Sequence, residues 1–274
     1  MEPAATEATD STRGQNVAPR TRRWSRWIWP VLLLALLVLL FRGYEQANRE
    51  ARKNSCKNYL RSVGLSLQSY QDWHGSLPPA HLVDSTGTPT HSWRTIISPS
   101  IFYDLETDYF AQLDLSKPWD DPVNTAVLDR YVGTIQCPER EERQSKLTPY
   151  VAVVGEGTPW PTPMTGDKLP VPLTDEQRAA NRNATRAIDH PAKILVVEWP
   201  ESDIQWTEPR DLSVEEFLKW FETQRGEPTI HPGDSILYLG DDFEAHELPL
   251  ETSVAEVRAL LMADGEDIAR PRED

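Results

Sequence analysis

The sequence predicts an α+β domain carried on an N-terminal membrane anchor, and three observations lead there. Residues Trp27 to Phe41 are fifteen consecutive uncharged residues bracketed by Arg26 and Arg42. The polar run behind them keeps an apolar stripe at helical spacing: Cys56, Leu60, Val63, Leu67 and Tyr70. Beyond that, β-branched runs alternate with helix-capping signals in a chain of 23 prolines, a pattern of loop-rich α+β structure rather than of a helical bundle.

The anchor is expected over residues 24–41 and includes Trp24, Trp27, Trp29, Leu32, Leu36, Leu40 and Phe41. At ~1.5 Å per residue the apolar stretch covers roughly 22 Å, less than the ~30 Å hydrocarbon core. Tryptophans at the interface and arginines reaching outward close the gap. The segment is apolar all round, which argues against a helix of a soluble domain. A cleaved signal peptide is the competing reading, but no small-x-small site follows: Leu40-Phe41-Arg42-Gly43-Tyr44 is bulky and charged. Arginines flank the span on both sides and barely set its direction. The short polar arm, residues 1–23, is expected to be disordered and cytoplasmic, with the large C-terminal part outside. That makes a single-pass protein of the cell inner membrane whose partner is the lipid bilayer.

Charge narrows the remaining partners. The first 57 residues hold ten Lys/Arg and five Asp/Glu, which leaves eighteen basic and thirty-eight acidic residues and a net charge of −20 for the rest. No basic stripe follows Arg61, so nucleic acid is excluded as a partner, because phosphate binding needs clustered cations. The two cysteines, Cys56 and Cys137, have no C-x-x-C spacing and no nearby histidine that would suggest zinc. They stand either as buried thiols or as one disulfide. Closing that loop of about 80 residues would contribute on the order of 4.5 kcal/mol in the chain-entropy model.

The elements follow in order. The stem helix is expected over residues 42–71, ended by Gly75 and Pro78-Pro79, with Cys56, Leu60, Val63, Leu67 and Tyr70 as its packing face. The head, residues 72–274, should hold short helices at Ser92 to Ile97 and Phe102 to Leu113, then a strand at Tyr131 to Gln136. Tyr150 to Val154 and Ile194 to Glu198 are the clearest strands, being β-branched and bounded by Pro or Gly. A Pro-rich excursion between them has a helical turn near Thr174 to Ala180. Ser213-x-x-Glu216 and Ser253-x-x-Glu256 are capping boxes that open helices at Val214 to Thr223 and Val254 to Met262. Ser235 to Leu239 is a last strand between turn signals.

No catalytic signature appears. His74, His81 and His91 are spaced seven and ten apart, which fits no helix-borne ligand pair, and a turn is the simpler reading. Asp104, Asp108, Asp114, Asp120 and Asp121 are dense but do not follow a calcium-loop pattern. There is no G-x-S-x-G elbow and no phosphate-binding glycine loop. Acid–base pairs assembled in space, such as Glu198 with Asp203 or Asp241 with His231, are the form an unrecognised hydrolase would take. Trp93, Trp119, Trp160, Trp199 and Trp206 suit either core packing or stacking on sugars. The expectation is no metal, no cofactor and no enzyme.

The ordered motifs resemble a known family. The run REARKNSCKNYLRSVGLSLQSYQD (49–72) is similar to the post-anchor helix of prepilin-like proteins of unknown function, expanded in planctomycetes and often labelled type II secretion G-like pseudopilins. The similarity continues through HGSLPPA (74–80), HSWRTI (91–96), KPWDDPVN (117–124), CPER (137–140) and YVAVVGEGT (150–158). ILVVEWPESDIQWTEPRDL (194–212), HPGDSILYLGD (231–241) and VRALLMADGED (257–267) complete it. The resemblance implies a pilin-like fold, with the stem helix packed on a small antiparallel sheet bearing loop-rich insertions. Where relatives carry Gly followed by Phe-Thr-Leu-x-Glu, this chain has Arg26-Trp27-Ile28-Trp29-Pro30, so the anchor is read as unprocessed. The implied role is a non-enzymatic envelope component in secretion, surface assembly or scaffolding, in contact with other envelope proteins. The alternatives are a polysaccharide- or ligand-binding module and, last, an envelope hydrolase.

Overall fold

The computed structural model describes residues 25–101, 112–128, 146–184, 191–227 and 229–263. The chain divides into two compact units, Met1–Gln46 and Ala47–Asp274. Helix α1 is Ser25–His74. In the first unit its large apolar side chains from Ile28 to Phe41 are exposed. In the second unit, Cys56, Leu60, Val63, Leu67 and Tyr70 are buried in the core. The helix ends three residues beyond the expected boundary. Gly75 takes φ 82° and returns its N–H to Gln71 O at 2.7 Å, a left-handed stop that a side chain would oppose.

Two sheets build the head. Strands β1 (His81–Val83), β2 (Pro89–Ser92) and β4 (Met164–Thr165) form a small sheet in the order β2-β1-β4. The main sheet has the order β6-β3-β5-β7-β8, from β3 (Tyr150–Val154), β5 (Ile194–Glu198), β6 (Leu212–Ser213), β7 (Ser235–Gly240) and β8 (Ala245–Pro249). Both sheets are mixed, not antiparallel: in the main sheet β6 returns beside β3 in parallel, and in the small sheet β4 lies parallel to β1. Each of these parallel strands reaches its partner through a long crossover, which parallel pairing requires. The helices α2 (Trp93–Ile101), α3 (Pro122–Leu128), α4 (Asp175–Ala184), α5 (Val214–Thr223) and α6 (Val254–Leu261), with a 3-10 turn at Gly166–Lys168, complete the described elements. The expected helix over 102–113 and strand over 131–136 fall almost wholly outside the described residues.

Strand alternation sorts the core into two layers. Tyr150, Ala152, Leu237 and Leu239 join the packing face of α1, with Trp93, Trp160 and Phe243. Val151, Val153, Ile236 and Tyr238 join α5 and α6 through Phe217, Phe221, Val257 and Leu261. Covered on both faces, β3 and β5 read as continuous apolar runs without polar alternation. In β5, Leu195 and Val196 both face the α1 layer, and the β5–β7 pairing shifts register between Ile194 and Val196. The irregularity lets two successive residues point to one side. Both capping boxes close as expected, Ser213 with Glu216 and Ser253 with Glu256, each exchanging side-chain and backbone bonds.

Polar contacts fasten α1 to the outer strand. Lys53 donates to Glu247 Oε2 at 2.6 Å and Lys57 to Glu247 Oε1 at 2.5 Å, while Arg61 reaches Glu244 at 2.9 Å. Burial pushes the Glu247 carboxyl up, but the hydrogen bonds and charges of Lys53 and Lys57 outweigh it and bring it to about 2. A carboxyl held below its unfolded value stabilises the fold above about pH 4.5 and loses that contribution as pH falls toward 2. Because its side chain is 37% exposed, solvent screening limits the contribution to about 1 kcal/mol. Glu247→Gln is expected to flatten the stability-versus-pH curve in that window, read by urea unfolding at stepped pH. An unchanged slope would sink the assignment.

Candidate functional site

The head's most chemically equipped cluster forms where the end of β5 meets the loop entering β7. Glu198 is the last residue of β5, pointing inward as the strand's final buried position. His231 lies in the loop Thr229–Asp234, which is tightly held. Thr229 Oγ1 donates to His231 O at 2.6 Å, Lys53 Nζ donates to Pro232 O at 2.9 Å, and Gly233 turns the chain at φ 85°. This places His231 Nε2 2.8 Å from Glu198 Oε2, with both side chains 2% exposed.

Cys56 of α1 completes the cluster. One ligand-type atom from each of Cys56, Glu198 and His231 lies within 4.8 Å of the others, and all three residues are buried. Cys56 is disulfide-bonded, and the chain's other cysteine, Cys137, lies outside the described residues. Tyr150 stands over the cluster and donates its hydroxyl to Cys56 O at 3.2 Å. Burial first, and then the Glu198 charge, push that phenol well above its ordinary range. It therefore serves as a fixed donor rather than a base.

Two atoms of the cluster have no hydrogen-bond partner: Glu198 Oε1 and His231 Nδ1. Beside them a small cavity of about 30 Å³ is lined by Glu198, Glu201, Trp220, His231 and Ser235 among others. That is room for a water or an ion, not for a sugar ring. Trp220 Nε1 donates to Glu201 at 3.1 Å, and its ring meets Trp199 edge-on at 6.3 Å between centroids.

The structure pairs Glu198 with His231, whereas the sequence suggested Glu198 with Asp203 and Asp241 with His231. Asp203 instead meets Arg210 at 3.0 Å, and Asp241 accepts from Lys193 N at 2.8 Å. The three clustered histidines go separate ways. His74 Nδ1 contacts Pro170 O, and buried His91 bonds Lys117 O through Nε2. His81 is half-buried, and burial lowers its pKa. Asp114 caps its own turn through Ser116, and Asp121 caps α3 through Val123. Asp104 and Asp108 lie outside the described residues.

Of the five tryptophans nominated for stacking, Trp93, Trp160 and Trp206 are in the core, while Trp119 and Trp199 are half-buried. Trp24 lies outside the described residues, and the anchor side chains Trp29, Leu32, Leu36, Leu40 and Phe41 are all exposed.

A second buried polar centre joins α2 to the segment entering β6. Arg94, on α2, meets Asp211 at 2.6 Å with side chains 0% and 1% exposed. No sequence pattern marks the pair, because its partners are 117 residues apart.

A family model described as "Protein of unknown function (DUF1559)" matches residues 46–211, more than half of the chain. No curated protein and no solved structure matches.

Proposed function

From the premise that this chain belongs to the DUF1559 family of proteins of unknown function, we propose that it is a membrane-tethered, non-enzymatic envelope protein of pilin-like build. Its anchor stays uncleaved in the inner membrane, and its head works outside the cytoplasm in secretion, surface assembly or scaffolding through contacts with other envelope proteins. The observation that carries this reading is the run from Ile28 to Phe41, whose large apolar side chains are 47–76% exposed. Among the described residues, one helix is long and apolar enough to cross a bilayer, and none of its apolar window is buried by protein. Water would make such a surface costly, at about 25 cal/mol per Å² of apolar area, and lipid removes that cost. The non-enzymatic part rests on the absence of a catalytic sequence signature and on the disulfide that engages the one described cysteine.

Intact mass of the mature protein, together with protease digestion of spheroplasts, tests the reading. The expected result is an unprocessed N-terminus and a head digested from outside. Cleavage near the span, or a head protected until lysis, would overturn it. Deleting residues 24–41 is expected to move the protein from the membrane pellet to the soluble fraction.

A further inference from the structure

We propose that Cys56, Glu198 and His231 form a thiol-gated metal site, closed while Cys56 is in its disulfide and able to take a zinc-type divalent cation once that bond is reduced. This goes beyond membrane tethering and does not depend on it.

Three observations carry the proposal. The donor set is a thiol, an imidazole and a carboxylate, with one donor atom of each inside 4.8 Å, and zinc takes these three kinds of ligand. Glu198 Oε2 and His231 Nε2 are 2.8 Å apart. Opening them by roughly half an ångström gives the ligand-to-ligand separation of a tetrahedral zinc with bonds of about 2.0–2.1 Å. Finally, Glu198 Oε1 and His231 Nδ1 are buried without hydrogen-bond partners. Such atoms are rare in a settled core.

Charge fits as well. A divalent cation with one thiolate and one carboxylate is neutral, the condition under which a buried ionic group is tolerated. The neighbouring cavity of about 30 Å³ supplies space for a water as fourth ligand.

The gate follows from the sulfur. The thiolate is the ligand, and a sulfur bonded to a second sulfur carries no such charge. A dithiol reductant transfers two electrons and two protons to the protein disulfide, leaving two protein thiols and its own cyclic disulfide. The metal then displaces the proton of Cys56, which goes to solvent. With Nε2 facing the metal, the imidazole carries its N–H on the partnerless Nδ1. Oxidation and metal binding therefore compete for one sulfur.

The test uses the full chain in detergent micelles, with Co²⁺ as the probe. Oxidised protein, dithiol-reduced and desalted protein, and the Cys137→Ser variant, which frees Cys56 without any reductant, are titrated in parallel under argon. The expected result is one equivalent of Co²⁺ with a thiolate-to-cobalt charge-transfer band in the reduced protein and in Cys137→Ser, and none in the oxidised protein. His231→Gln and Glu198→Gln should each weaken binding at least tenfold, and Cys56→Ser should abolish the band. Far-UV circular dichroism confirms that each variant is folded. Equal binding by the oxidised protein, a reduced protein that binds without the sulfur band, or His231→Gln binding like the parent would each overturn the proposal. So would a folded Cys137→Ser that takes up no Co²⁺.

Discussion

Replacing Arg94 with leucine is expected to remove about 3–5 kcal/mol of folding stability, because it leaves an uncompensated carboxylate in the core. The guanidinium is fully buried and spends its donors on four groups. Nε donates to Tyr150 O at 2.9 Å, Nη1 to Ser92 Oγ at 2.8 Å and Glu208 O at 3.4 Å, and Nη2 to Asp211 Oδ1 at 2.6 Å. Asp211 Oδ1 also accepts from Trp93 Nε1 and from the N–H of Ala152. One pair thus ties α2, the end of β2, the edge of β3 and the segment entering β6.

Burial works against both charges, pushing Asp211 up and Arg94 down, each against the pull of its partner. For that reason the double variant Arg94→Leu/Asp211→Leu should lose far less than Arg94→Leu alone. Two apolar side chains have no desolvation cost to recover, and removing a whole buried pair is often nearly neutral. Urea unfolding of the full chain in detergent, followed by tryptophan fluorescence, reads both. Arg94→Leu unfolding at the parent's midpoint, or the double variant falling further than Arg94→Leu, would show that the pair is not the fastening described here.

Local signals in the sequence carry much of this architecture. The stripe from Cys56 to Tyr70 names its own buried face because a helix repeats every 3.6 residues, and the capping boxes at Ser213 and Ser253 mark helix starts from three-residue spacing alone. Strands covered on both faces, Tyr150–Val154 and Ile194–Glu198, stand out by β-branched composition. The outer strand Ala245–Pro249 is hidden because only Leu248 is buried along it. Its place is set by pairing with β7 rather than by its own pattern.

The candidate site is less legible for a related reason. Glu198 and His231 are 33 residues apart, and Cys56 comes from helix α1, far earlier in the chain. No spacing rule connects them. A histidine before Pro-Gly at a strand entry was visible as a turn. Its approach to a carboxylate depends on β5 and β7 lying side by side, which is topology.

Gly64→Ala is expected to destabilise the protein by about 2 kcal/mol or more, although alanine favours an isolated helix by roughly 1 kcal/mol. A Cβ at this position of α1 would lie 2.3 Å from Phe243 O and 2.7 Å from Leu239 Cδ1. The nearer atom is a backbone carbonyl that cannot swing aside. Phe243 is itself held at φ 61°, and its N–H donates to Gly240 O at 2.9 Å. Gly240 N–H in turn donates to Glu244 O at 3.0 Å, closing the β7–β8 turn on itself. The added methyl must therefore push the helix off the sheet, disturbing Leu60, Val63 and Leu67 in the same layer. Gly43→Ala in the same helix meets nothing within 4 Å and should stay within about 0.5 kcal/mol of the parent. Urea midpoints of the two variants separate the effects: equal midpoints would mean that the approach of α1 to the β7–β8 turn is looser than described, and a selective loss at Gly64 would identify that approach as the reason for a glycine inside a packed helix.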